Sequence, residues 1–68
     1  MSAIQITLRN GDTYFTQDYD TPAEVRGAIQ EGDELAVFWF ARWGRRFSET
    51  LLVDWDEVGY LVTEREIP

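Results

Sequence analysis

Three of the chain's six arginines fall within five residues, in Arg42-Trp43-Gly44-Arg45-Arg46-Phe47. Arginine and tryptophan are enriched at binding hot spots, and both stack on flat partners. The same pairing suits unstacked nucleic-acid bases. The opposite charge is more abundant, with thirteen Asp and Glu in 68 residues and a formal net charge of −7. The acids fall mainly into three groups: Asp18, Asp20 and Glu24; Glu31, Asp33 and Glu34; and Asp54, Asp56 and Glu57. The chain therefore reads as an acidic body with one basic, aromatic segment. Partner-binding residues are expected at Arg42, Trp43, Arg45, Arg46, Phe47, Asp54, Asp56 and Glu57. The alternative for the segment is internal: Arg45 and Arg46 pair with carboxylates while Trp43 covers one end of the fold.

The chemistry excluded is equally informative. There is no His, Cys or Lys. The usual zinc ligands, thiol nucleophile, imidazole base and Schiff-base amine are all missing. Asp54-x-Asp56 followed by Gly59 begins like a calcium loop, but Val58 and Arg65 stand where that loop needs oxygen ligands. Asp18-x-Asp20 fails likewise at Pro22 and Ala23. The only serines, Ser2 and Ser48, have no His to activate them, and the five glycines are too scattered for a phosphate loop. A carboxylate pair working on a glycoside needs a deep site that so short a chain can scarcely enclose. No catalytic residue, metal or cofactor is expected.

The length allows one domain, 1–68. A chain this small buries only about 60% of its unfolded surface, so large apolar side chains or self-association must compensate. Three Trp, four Phe and three Tyr supply the first. No apolar run approaches the roughly 18 residues of a membrane span, and Met-Ser-Ala-Ile-Gln lacks the basic and apolar regions of a signal peptide. A cytoplasmic location is expected. The negative charge disfavours nucleic acid, whose phosphates need clustered cations.

These groups must be positioned by a small set of elements. Ile4, Ile6 and Leu8 alternate with polar residues, which predicts a strand over 3–9. Asn10-Gly11 predicts a two-residue hairpin turn, and the strand returns over 12–17. That loop sets Ile6 against Phe15 and Leu8 against Thr13, with Tyr14 on the other face beside Thr7. Thr21-Pro22-Ala23-Glu24 is a helix start: a capping hydroxyl, a proline at the first position and a glutamate that closes a capping box. The helix runs over about 22–31, buries Val25, Ala28 and Ile29, and stops at Gly32. Residues 35–42 are apolar on both faces, which predicts a central strand covered on both sides or covered by a partner chain. A turn centred on Trp43-Gly44 or Gly44-Arg45 leads to a strand over 47–53. Asp54 to Glu57 makes a short turn, and 58–66 a last strand with Val58, Tyr60 and Val62 on one face.

The order ββαβββ gives an α+β fold: a small antiparallel sheet of about five strands with one short helix. With its short turn before the last strand it is similar in topology to SH3-like and Sm-like barrels. In size and charge the chain resembles small acidic proteins of phages and mobile elements, the anti-CRISPR and anti-restriction proteins. That resemblance implies an inhibitor of a nucleic-acid-binding defence enzyme, acting through acidic groups. The expected function is thus a small acidic protein-binding module. Two alternatives remain: a homo-oligomeric assembly protein, motivated by residues 35–41, and a single-stranded nucleic-acid binder using the Arg/Trp hairpin.

Overall fold

The structure, a computed structural model, describes residues 3–64. The strands are β1 (Ala3–Leu8), β2 (Thr13–Thr16), β3 (Leu35–Phe40), β4 (Arg46–Leu51) and β5 (Val58–Glu64). The helix α1 (Pro22–Gln30) joins β2 to β3, and a 3₁₀ turn, Trp55–Glu57, precedes β5. The strands form one antiparallel sheet in the order β4-β3-β2-β1-β5. The sheet is open, with β4 and β5 as its edges: the five-stranded antiparallel sheet with one helix is as expected, whereas the likeness to an SH3-like or Sm-like barrel does not extend to closure. The residues expected to extend the last strand to 66 lie outside the described ones.

Both hairpins differ from expectation, and in the same way. In the first, the Leu8 amide donates to the Asp12 carbonyl at 2.8 Å and the Gly11 amide to the Leu8 carbonyl at 3.0 Å. In the second, the Ala41 amide donates to the Arg45 carbonyl at 2.8 Å and the Gly44 amide to the Ala41 carbonyl at 2.9 Å. Each is a three-residue loop whose last residue, Gly11 (φ +97°) or Gly44 (φ +80°), takes the left-handed conformation. The two-residue turn at Asn10-Gly11 would need positive φ at both residues. Asn10 is not left-handed; its Oδ1 instead accepts from the Asp12 amide at 2.9 Å. The extra residue shifts the register by one, so Ile6 lies opposite Tyr14, not Phe15, and every β2 side chain changes face. The second turn is centred on Arg42-Trp43, one residue before the first expected pair and two before the second.

One face of the sheet carries the core. Ile4, Ile6 and Leu8 of β1, Leu35 and Val37 of β3, and Leu51 of β4 pack with Val25, Ala28 and Ile29 of the helix. Fully burying a side chain such as Ile4 or Ile6 contributes roughly 2–3 kcal/mol. Thr16 is also fully buried there, and its hydroxyl donates to the Ala36 carbonyl at 3.1 Å. A nine-residue helix is marginal alone, so its ends matter. The Thr21 hydroxyl accepts from the Glu24 amide at 3.3 Å. At the other end, the Gly32 and Asp33 amides donate to the Ile29 and Ala28 carbonyls at 3.1 and 3.0 Å.

The apolarity of residues 35–41 on both faces has an internal explanation. On the face away from the helix, Phe38 stacks on Phe15 with centroids 5.5 Å apart and meets Phe40 edge-on at 5.7 Å. The Arg46 guanidinium lies over the Phe38 ring at 3.9 Å. Phe38 is only 3% exposed, so the cover expected from a second layer or a partner comes from this aromatic trio and one arginine. In β5 the pairing slips between Thr7 and Leu8, so Val58 lies opposite Leu8 while Tyr60 lies opposite Thr7. This bulge at Gly59 puts buried Val58 and exposed Tyr60 and Val62 on different faces, against the single face expected.

Candidate functional site

The antiparallel register that sets Phe15 against Phe38 brings the ends of both hairpins to the same end of the sheet. Register also fixes which side chains meet on the helix side at that end. Ile6 pairs with Tyr14, Phe15 with Phe38, and Trp39 with Phe47, so Tyr14, Trp39 and Phe47 form a row across β2, β3 and β4. Trp39 stacks on Phe47 with centroids 4.5 Å apart and planes 15° from parallel. The helix and the crossing segment 52–57 cover the middle of this face but leave this row half-buried.

A groove runs along the row. Its first part, about 400 Å³, is lined by Asp12, Thr13, Tyr14, Trp39 and Glu49 among others. Its second part, about 490 Å³, shares Asp12 and Tyr14, takes in Arg9, and continues past Leu52 and Val53 to Asp56 and Glu57. The groove is thus lined by the Tyr14, Trp39 and Phe40 rings, by four carboxylates and by one cation, Arg9, in its second part. Burial first, then the charges of Glu49 and Asp12, push the Tyr14 phenol above the usual tyrosine value. The phenol is thus held neutral in a locally negative field.

The expected partner-binding residues fall in three places. Asp56 and Glu57 line the groove, while Phe47 stacks on Trp39 and does not itself line it. Glu57 also shapes the backbone, since its Oε2 accepts from the Asp54 amide at 3.1 Å and holds the 3₁₀ turn. Arg42 and Trp43 stand at the tip of the second hairpin, where Trp43 is 87% exposed and covers no end of the fold. Arg45 and Arg46 alternate in direction. Arg45 lies over Phe47 at 5.1 Å on the helix side, and Arg46 lies over Phe38 on the other. Among the described residues their contacts are with rings, in place of carboxylate pairing, and the six-residue segment is not one surface.

Asp54 lines a separate hollow with Ile29, Gly32, Trp55 and Asp56 at the end of the helix. Arg26 reaches over Trp55 at 5.2 Å and ties the helix to this turn. The first group, Asp18, Asp20 and Glu24, sits at the start of the helix. Among the described residues, no three carboxylates come together in a way that could hold a metal ion, and no helix is long and apolar enough to cross a membrane.

Tyr14, Trp39, Asp12 and Glu49 are not among the residues that the sequence singles out. Trp39 reads as core filling, and Tyr14 is put on the wrong face by the two-residue turn. The one sequence signal for Glu49 is its place among polar residues in Phe47-Ser48-Glu49-Thr50. Comparison of the chain with protein-family models, with curated proteins and with solved structures finds no match.

Proposed function

We propose that the protein is a small acidic binding module that receives a basic segment of another protein in the groove beside Tyr14 and Trp39. The observation that carries this reading is the placement of Asp12, Glu49, Asp56 and Glu57, against the single cation Arg9, beside the Tyr14 and Trp39 rings. Apolar rings give contact area at low entropic cost, and the carboxylates select the sign of the partner's charge. The same negative field works against the phosphates of a nucleic acid. Exposed Trp43 stands at the same end of the sheet and offers a second anchor to a partner that fills the groove. In its most specific form the reading is inhibition: an acidic chain of this size, seated on the basic surface of a nucleic-acid-binding enzyme, excludes the enzyme's nucleic acid. Phage and mobile-element inhibitors of defence enzymes work on this principle.

The test is binding of synthetic ten-residue peptides, basic and acidic, measured by titration calorimetry at low and high salt. Salt-sensitive binding of the basic peptide, weakened at least threefold by Glu49→Lys, is the expected result. Equal binding of both peptides, or none, would sink the proposal.

A second reading rests on the 87% exposure of Trp43. A copy of the chain that buried this ring against another copy would make a homo-oligomer. Mass by light scattering over a concentration series separates the readings: a monomer leaves the groove free for a partner, whereas a stable dimer supports assembly.

A further inference from the structure

We propose that the part of the groove lined by Trp39, Tyr14, Glu49 and Asp12 is a slot for one arginine side chain of the partner. This rests on the binding role proposed for the groove and names the group recognised.

The first argument is the state of the rings. Phe47 is met by Trp39 on one side of the row and by the Arg45 guanidinium at 5.1 Å. Trp39 gives one face to Phe47 and also lines the cavity of about 400 Å³, so indole surface remains open to a ligand. The second argument is charge. Glu49 and Asp12 both line that cavity, and both act on the Tyr14 phenol. A cation is the ligand that matches a ring flanked by two carboxylates, and an anion is opposed by them. The third argument is geometric. A guanidinium is flat, so it can lie against the indole while its N–H groups point outward in its own plane to carboxylates and to the Tyr14 oxygen. An ammonium is a compact, strongly hydrated point charge without that flat fork, so it gains less from the same site. The chain uses the same contact internally: Arg26 over Trp55, Arg45 over Phe47 and Arg46 over Phe38. The partner's arginine would repeat on Trp39 what three of the chain's own arginines do elsewhere.

The experiment uses the full chain, nitrogen-15 labelled, and two peptides of equal length and charge. One carries arginines and the other lysines, both in a Gly/Ser background. The three indole signals report separately on the slot (Trp39), the hairpin tip (Trp43) and the 3₁₀ turn (Trp55). The arginine peptide is expected to bind about five- to tenfold more tightly than the lysine peptide and to move the Trp39 indole signal most. Glu49→Gln should erase that preference while weaker, salt-sensitive binding of both peptides persists. An unmoved Trp55 indole signal in the variant confirms that it is folded. Equal affinity for the two peptides, or shifts confined to Trp43 and Trp55, would overturn the slot and leave the general reading of a basic partner standing. Binding of neither peptide overturns both. A Trp39 signal that moves with protein concentration alone gives the slot to a second copy and overturns the assignment to a different partner.

Discussion

Replacing Gly44 by alanine tests the geometry on which the groove depends. Gly44 closes the second hairpin at φ +80°, and that loop sets the register of β4. A slip of one residue would turn Phe47 away from Trp39 and Glu49 out of the groove. An alanine Cβ at this position meets nothing within 4 Å, so no steric clash contributes. What remains is the cost of holding an L-residue in the left-handed region, about 1–2 kcal/mol. Gly27 is the internal control. It lies in the helix, also with open space around a Cβ, and has no positive φ. Alanine there should stabilise by roughly 0.5–1 kcal/mol, through higher helix propensity and a less flexible unfolded chain. The two substitutions add the same methyl group yet act in opposite directions, so their stabilities should differ by about 2 kcal/mol. With a urea slope of about 1 kcal/mol/M for so small a domain, their midpoints should lie about 2 M apart. Urea unfolding followed by tryptophan fluorescence measures this. If Gly44→Ala unfolds at or above the wild-type midpoint, the loop is not the one described, and the row Tyr14-Trp39-Phe47 loses its basis.

Arg46→Ala should uncover Phe38 and cost about 1 kcal/mol, through loss of the cation–ring contact and of the arginine stem that covers the ring; urea unfolding reads it, and no change would mean that other groups keep Phe38 dry. Because burial and the neighbouring carboxylates raise the Tyr14 pKa, the folded chain holds that proton more tightly than the unfolded one. Tyr14 therefore costs no stability below the ordinary tyrosine pKa of about 10 and lowers stability as pH climbs above it. Tyr14→Phe should flatten that loss and remove the late part of the tyrosinate absorbance titration. Charge and rings should separate kinetically with the arginine peptide: Asp56→Lys should slow association several-fold at low salt, whereas Trp39→Ala should mainly speed dissociation. Surface plasmon resonance at two salt concentrations distinguishes the two.

Much of the fold is legible in local chemistry. The period-2 run Ile4, Ile6, Leu8 is a strand, and the Thr21-Pro22 start and Gly32 stop bound the helix. The failures cluster where one residue more or less decides a face. Asn-Gly suits two turn lengths, and side-chain capping by Asn10 at 2.9 Å goes with the longer one. That single residue moves Tyr14 into the groove and Phe15 to the far face. The bulge at Gly59 does the same to Tyr60. The candidate site is legible in part. Phe47, Asp56 and Glu57 are charged or aromatic next to turns, where binding residues are readily sought. Trp39 lies inside an apolar run, and the half-burial that makes it available depends on what covers it, which the run itself does not encode.

Cover is the quantity that links stability to the site. The helix has nine residues and spans about 14 Å, whereas a six-residue strand such as β3 spans about 20 Å. The helix packs on Ile4, Ile6 and Leu35 and leaves Tyr14, Trp39 and Phe47 half-buried. At the protected end Ile4, Val37 and Leu35 are buried. At the other the chain places rings, which tolerate half-burial, and stacks Trp39 on Phe47 so that each shields the other. On the opposite face, where no helix lies, Phe15, Phe38, Phe40 and Arg46 make their own cover. Arginine on a ring is thus how this small chain finishes surfaces that it has too few residues to bury. In the groove, rings and carboxylates meet with room left between them.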